Sequence, residues 1–326
     1  MILNTYVVTY LLMSFLSLLV GLAALIVGLS TARKWDPESS SERQYQLEKK
    51  VYLSITLITL GFYMRLALVP LWFFMLQSLV PSIPGAMCLC GVHLVQTPYS
   101  FISTALKFLL PMAYGYWLSL NALDRQITTQ PLMKRKLYAL IPLGAAMIFE
   151  SFSDLRFLFS VKPRLVSCCS SFFDDSSLEI IQRMTYSGWG WVAVYFALAI
   201  LLLSVAAFLL RKPHSRIGAL LWILSPATLT AFVLAMHTRL APLFLHAEFH
   251  HCMFCIWQKL PDMIVATAAI CVGCWATMIS AAVRNVYKYP DASAVADAHL
   301  KILLHWAIGA LLFGNCILAI RIIAGF

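Results

Sequence analysis

Charge is scarce in this chain. Asp, Glu, Lys and Arg make up 12% of its 326 residues, about half the usual share of a soluble globular domain. That shortage excludes an ordinary water-soluble fold. Several catalytic signatures are missing as well. There is no Walker loop, no G-x-G-x-x-G set between a strand and a helix, no H-E-x-x-H and no C-x-x-C-H. The first two absences, with the short segments between apolar runs, leave no room for a nucleotide-binding domain, so energy from ATP would have to come from a partner. The last excludes c-type haem attachment. A haem ligated by His237 and His305 is also excluded, because these residues fall at opposite ends of their helices.

Apolar residues fill the gap. They are 61% of the chain, and the mean hydropathy is +0.82. A helix needs about 20 predominantly apolar residues to cross a bilayer, and eight segments qualify: Thr5–Ser30, Val51–Leu79, Tyr99–Leu120, Leu137–Ser160, Gly188–Leu210, Ile217–Met236, Met263–Val283 and Ile302–Ile323. The fourth carries Glu150, Asp154 and Arg156 and is the least apolar in character. The sequence therefore predicts an all-α, polytopic integral membrane protein of about eight transmembrane helices, forming a single transmembrane domain over residues 1–326. Pro70, Pro111, Pro142 and Pro226 interrupt apolar helices and predict kinks. The first apolar run has no basic residue before it and exceeds a signal-peptide core in length, so it reads as a retained helix.

Orientation follows from the cations. With the N-terminus outside, the inner loops 31–50, 121–136, 211–216 and 284–301 carry fifteen of the 24 Lys and Arg residues, and the outer segments carry six. That bias satisfies the positive-inside rule and predicts both termini outside. The net charge of +10 is then explained by topology and by contact with anionic lipid heads, not by nucleic-acid binding.

The outer loops are 80–98, 161–189 and 237–262, and each holds a cysteine pair: Cys88 and Cys90 in "MCLC", Cys168 and Cys169 in "SCCSS", Cys252 and Cys255 in "HHCMFC". Six of nine cysteines thus share one face, and the inner loops have none. Such a distribution fits loops that form a cap facing an oxidising compartment, the periplasm if the membrane is a bacterial inner membrane. "SSLEIIQRM", Ser176 to Met184, opens with a capping-box pattern and predicts a short interfacial helix over this cap.

Two chemistries use the same residues. In the first, Cys252 and Cys255 are a redox-active thiol/disulfide pair, with His250 or His251 lowering a thiol pKa. Cys88/Cys90 or Cys168/Cys169 would then relay electrons to or from a periplasmic thiol protein, with a membrane quinone as acceptor. The arrangement is analogous to that of quinone-linked disulfide generators, without an alignable motif. In the second, Cys88, Cys90, Cys252, Cys255, His250 and His251, with Met87 and Met253, furnish soft or borderline ligands for copper or zinc. A third reading makes the cysteines disulfide braces in a subunit of a larger membrane complex. Cys271 and Cys274, at i and i+3 in the seventh segment, would extend either site or simply pack.

Charges fall inside predicted helices: Arg65, Lys107, Glu150 and Asp154, with Arg156 beside the two carboxylates. A charge at the bilayer centre costs at least roughly 2.5–3.5 kcal/mol, so it needs a partner or water. Glu150 and Asp154 lie at i and i+4 on one helix face. Pairing of Arg65 and Lys107 with these carboxylates is expected, as a proton path, as a cationic wall for a quinone, or as a structural ion network.

Overall fold

The first helix, α1 (Thr5–Thr31), begins where the Asn4 side chain accepts a hydrogen bond from the Tyr6 amide at 2.9 Å, a typical N-cap. Its inward stripe is Val7, Tyr10, Ser14, Ser17, Gly21, Ala24, Gly28 and Thr31, whereas Leu12, Phe15, Leu19, Ile26 and Leu29 point outward. Small and polar residues inside with large apolar residues outside reverse the pattern of a soluble helix. That inversion is what lipid as the outer solvent requires.

This computed structural model describes residues 4–36, 41–127, 130–166, 188–247, 250–289 and 293–324. Cys168, Cys169 and the predicted helix at 176–184 lie outside the described residues. The remaining helices are α2 (Glu42–Leu79), α3 (Leu89–Val95), α4 (Thr97–Asp124), α5 (Met133–Ser160), α6 (Gly188–Arg211), α7 (Leu221–Ala235), α8 (Ala241–Leu245), α9 (Met253–Lys259), α10 (Asp262–Val283) and α11 (Ser293–Ala324). Among the described residues there is no strand.

The chain is all-α, and six of its helical stretches are long and apolar enough to cross a membrane: Thr5–Thr31, Glu42–Ser82, Gly188–Arg211, Arg216–Leu245, Asp262–Lys288 and Ser293–Ala324. The third and fourth apolar segments of the sequence also form helices, α4 and α5, each 28 residues long.

Helix ends differ from the apolar boundaries for local reasons. Helix α2 starts nine residues before Val51, because "ERQYQLEKK" is rich in good helix formers and Ser41 caps it through the Gln44 amide at 3.3 Å. Pro70, Pro111, Pro142 and Pro226 all sit inside helices.

The helices divide between two compact units, Met1–Ser82 with Val92–Arg164, and Ile83–Gly91 with Leu165–Phe326. In the first unit α1 packs on α5 and α2, and α4 packs on α5. Gly144 of α5 meets α1 so closely that a Cβ there would stand 2.8 Å from the Gly21 carbonyl oxygen and 2.9 Å from the Leu25 amide. In the core of this unit Phe62 stacks on Tyr114 and meets Trp117 edge-on. At one end of α4, Asp124 pairs with Lys136 at 2.7 Å and accepts the Leu132 amide at 2.8 Å, which fixes the turn into α5. In the second unit α10 packs on α11 and α7, while α6 packs on α7 and α11. Arg321 grips both Asp262 oxygens at 2.6 and 2.8 Å, tying the end of α11 to the start of α10.

Candidate thiol centre and buried charge cluster

Within the second unit, the segment 83–91 turns sharply at Gly85, whose φ of 84° lies in the left-handed region that favours glycine. The Val166 amide donates to the Pro84 carbonyl at 3.1 Å and holds this turn. Cys88 follows, immediately before α3. On the other side, α9 carries Cys252 at its N-cap and Cys255 in its first turn. Ile256 and Trp257 anchor α9, with the Trp257 indole donating to Thr267 of α10 at 3.3 Å. The Gly85 turn and the anchored helix α9 bring three sulfurs together.

The Sγ atoms of Cys88, Cys252 and Cys255 all lie within 4.8 Å of one another. Cys88 and Cys252 make a sulfur–sulfur contact of 3.7 Å. Cys88 is 1% exposed and Cys252 is 4% exposed, and Phe254 packs beside them. Among the described residues this is the one group of three or more Cys, His, Asp or Glu side chains close enough to share a metal ion. Thiolates at such a separation suit a soft or borderline cation or an exchange between thiols.

The other predicted site residues divide around this centre. Cys90 is buried in the same apolar cluster but is not part of the three-sulfur group. Met87 is 65% exposed. His250, His251 and Met253 are half-buried beside it in sequence. His251 places Nδ1 2.8 Å from the His237 carbonyl oxygen, and the two rings lie 5.5 Å apart. Cys271 and Cys274 are buried within α10 and do not join the group.

The four charges meet in the first unit. Lys107 of α4 reaches Asp154 Oδ2 at 2.8 Å and also pairs with Glu150. Arg65 of α2 donates to Glu150 Oε2 at 3.1 Å, to the Met147 carbonyl at 3.2 Å and to the Ser151 hydroxyl. All four charged residues are at most 2% exposed. Two cations balance two carboxylates, which is the condition for keeping charge in a low-dielectric interior.

Sequence reasoning did not find the groups that complete this cluster. Tyr10 of α1 donates to Asp154 at 2.5 Å, and Tyr114 donates to Glu150 at 3.1 Å. Lys107 also faces the Tyr10 and Trp72 rings at 5.6 and 5.5 Å, a cation–π environment. The available signal was spacing: Tyr10 sits on the Ser14–Ser17 stripe, and Tyr114 lies seven residues after Lys107, two helical turns on the same face.

Fold and site together define a class: an all-α integral membrane protein with a buried sulfur centre and a buried, charge-balanced ion cluster. Comparison with protein-family models, with curated proteins and with solved structures yields no match.

Proposed function

We propose that this chain is an eight-helix membrane protein that captures a soft metal ion, copper(I) or zinc(II), through the thiolates of Cys88, Cys252 and Cys255. The convergence of three sulfurs from segments far apart in sequence carries this reading. A tetrahedral centre with metal–sulfur bonds of about 2.3 Å sets its sulfurs roughly 3.8 Å apart, and the Cys88–Cys252 contact is 3.7 Å. Three sulfurs converging at this range match the donor set of a soft or borderline metal centre.

The distribution of cations supports the finer topology. With α4 and α5 counted as spans, eight crossings put both termini and the 80–98, 161–189 and 237–262 connections on the outer face. In a bacterial inner membrane that face is the periplasm, and the metal centre would sit there, at the boundary between lipid and the outer compartment.

Metal analysis tests the reading. Purified, reduced protein loaded with zinc(II) or copper(I) is expected to retain one ion per chain after desalting. Cys88→Ser, Cys252→Ser and Cys255→Ser are each expected to lower that retention. Equal retention in all three variants would overturn the proposal.

The 3.7 Å contact also favours a second reading, a thiol/disulfide redox centre. Closing Cys88 and Cys252 into a disulfide requires the sulfurs to approach to about 2.05 Å. Two thiols would lose two protons and two electrons, reducing a membrane quinone to its quinol; Cys255 thiolate attack would pass the disulfide to Cys255 and release one thiolate, and two thiols of a partner would reduce it again, leaving the disulfide in the partner. A periplasmic thiol protein would be the partner. Thiol trapping in membranes separates the two: the metal reading expects alkylatable thiols after chelation alone, the redox reading only after a reductant.

A further inference from the structure

Three thiolates leave one position of a tetrahedral centre to fill. We propose that His251 fills it through Nε2, giving a Cys3His centre; this rests on the metal-binding reading above.

The argument begins in the backbone after α7. Residues Met236–Leu240 form a π turn, and the Ala241 amide donates to the Met236 carbonyl, five residues back. In that register the next donor, for the His237 carbonyl, would be the amide of residue 242. Residue 242 is proline, which has no N–H. The His251 ring takes that place, with Nδ1 at 2.8 Å from the carbonyl oxygen.

A carbonyl oxygen accepts and cannot donate, so Nδ1 carries the hydrogen. The tautomer is thereby set, and Nε2 keeps its lone pair. Metal-ligating histidines are oriented in this way, by donating their second ring nitrogen to a carbonyl or carboxylate. His251 also directly precedes Cys252 in the chain, and the 250–252 segment has no regular helix to hold it rigid. The ring is not among the groups already within 4.8 Å of one another. On metal entry the His251 ring turns toward the sulfurs while Nδ1 keeps its carbonyl. π turns recur at functional sites because they redirect backbone groups, and here the redirected group is the His237 carbonyl.

Cys90 is the competing fourth ligand, being buried in the same cluster. X-ray absorption at the zinc edge on full-length protein in detergent distinguishes the two. The expected result is three sulfurs and one nitrogen, with the multiple-scattering signature of imidazole. In His251→Ala that signature disappears while the three sulfurs persist, and zinc affinity falls by at least the roughly 10–100-fold typical of losing a group that orients a ligand. Pro242→Ala restores a backbone N–H that competes for the His237 carbonyl. It is expected to weaken zinc binding without altering the ligand set, and elution as a monodisperse species shows that both variants fold. A four-sulfur shell in the native protein, or an imidazole signature that survives in His251→Ala, overturns the His251 assignment and leaves the metal reading standing. Absence of retained zinc in the native protein overturns both.

Discussion

Cys88 and Cys252 stand 164 positions apart in the sequence, and their sulfurs lie 3.7 Å from each other. One precedes the short helix α3 and the other caps α9. Their contact joins the two pairs that spacing suggests, Cys88 with Cys90 and Cys252 with Cys255, and the second of these pairs lies wholly within the centre. The sulfur centre is thus a product of tertiary packing, with Cys255 as its third member.

Alkylation should report this directly. Zinc-loaded protein is expected to protect Cys88, Cys252 and Cys255 together from a maleimide, and chelation is expected to expose them together. Mass spectrometry of the labelled peptides is the measurement. Protection of Cys252 and Cys255 without Cys88 would contradict a shared centre.

Glu150 is the hub of the charge cluster, bound by Arg65, Lys107 and Tyr114. Glu150→Gln removes the charge and keeps the shape, which leaves two buried cations facing Asp154 alone. Breaking a buried pair in this way costs about 3–5 kcal/mol, so a clear fall in thermal unfolding temperature in detergent is expected. Normal stability with lost function would instead indicate a proton path through this residue.

The coupling between Lys107 and Asp154 can be separated from their individual roles. Lys107→Met and Asp154→Asn each leave an uncompensated charge, whereas the double variant removes one charge of each sign. Residues in one ion network couple by about 0.5–3 kcal/mol. The double variant is therefore expected to be less destabilised than the sum of the singles, as read from unfolding curves in the same detergent.

Gly144 has no space for a side chain. A Cβ at this position would press on the Gly21 carbonyl and the Leu25 amide, both rigid backbone groups of α1. Gly144→Leu is expected to separate α1 from α5 and lower the yield of folded protein. Leu109→Ala, on the exposed face of α4, is the matched control and should leave that yield unchanged.

The inward stripe of α1 illustrates how far sequence reaches. Its heptad-like spacing of small and polar residues among large apolar ones is local information, legible without coordinates. The paired signs and i, i+4 spacing of Glu150 and Asp154 likewise pointed to partners in Arg65 and Lys107, because a low-dielectric medium punishes an isolated charge. Tyr10 and Tyr114 were not legible as partners, since a tyrosine in an apolar helix is equally at home packing or bonding. For His251 the signal was split between the ring itself and Pro242, nine residues away, and it acquires meaning only when the π turn sets the backbone register.

By itself, then, the sequence determined that the chain is helical and apolar enough for a membrane, that six of its nine cysteines fall between apolar runs, and that charges of both signs fall inside its predicted helices. Those properties depend on composition and on helical periodicity, which act over a few turns. Tertiary structure decided which cysteines meet, which helix supplies each hydrogen bond to the carboxylates, and that a proline beside a π turn leaves a carbonyl for a histidine ring. Such contacts join residues separated by up to 164 positions. They depend on helix packing and turn geometry, for which local spacing carries no signal.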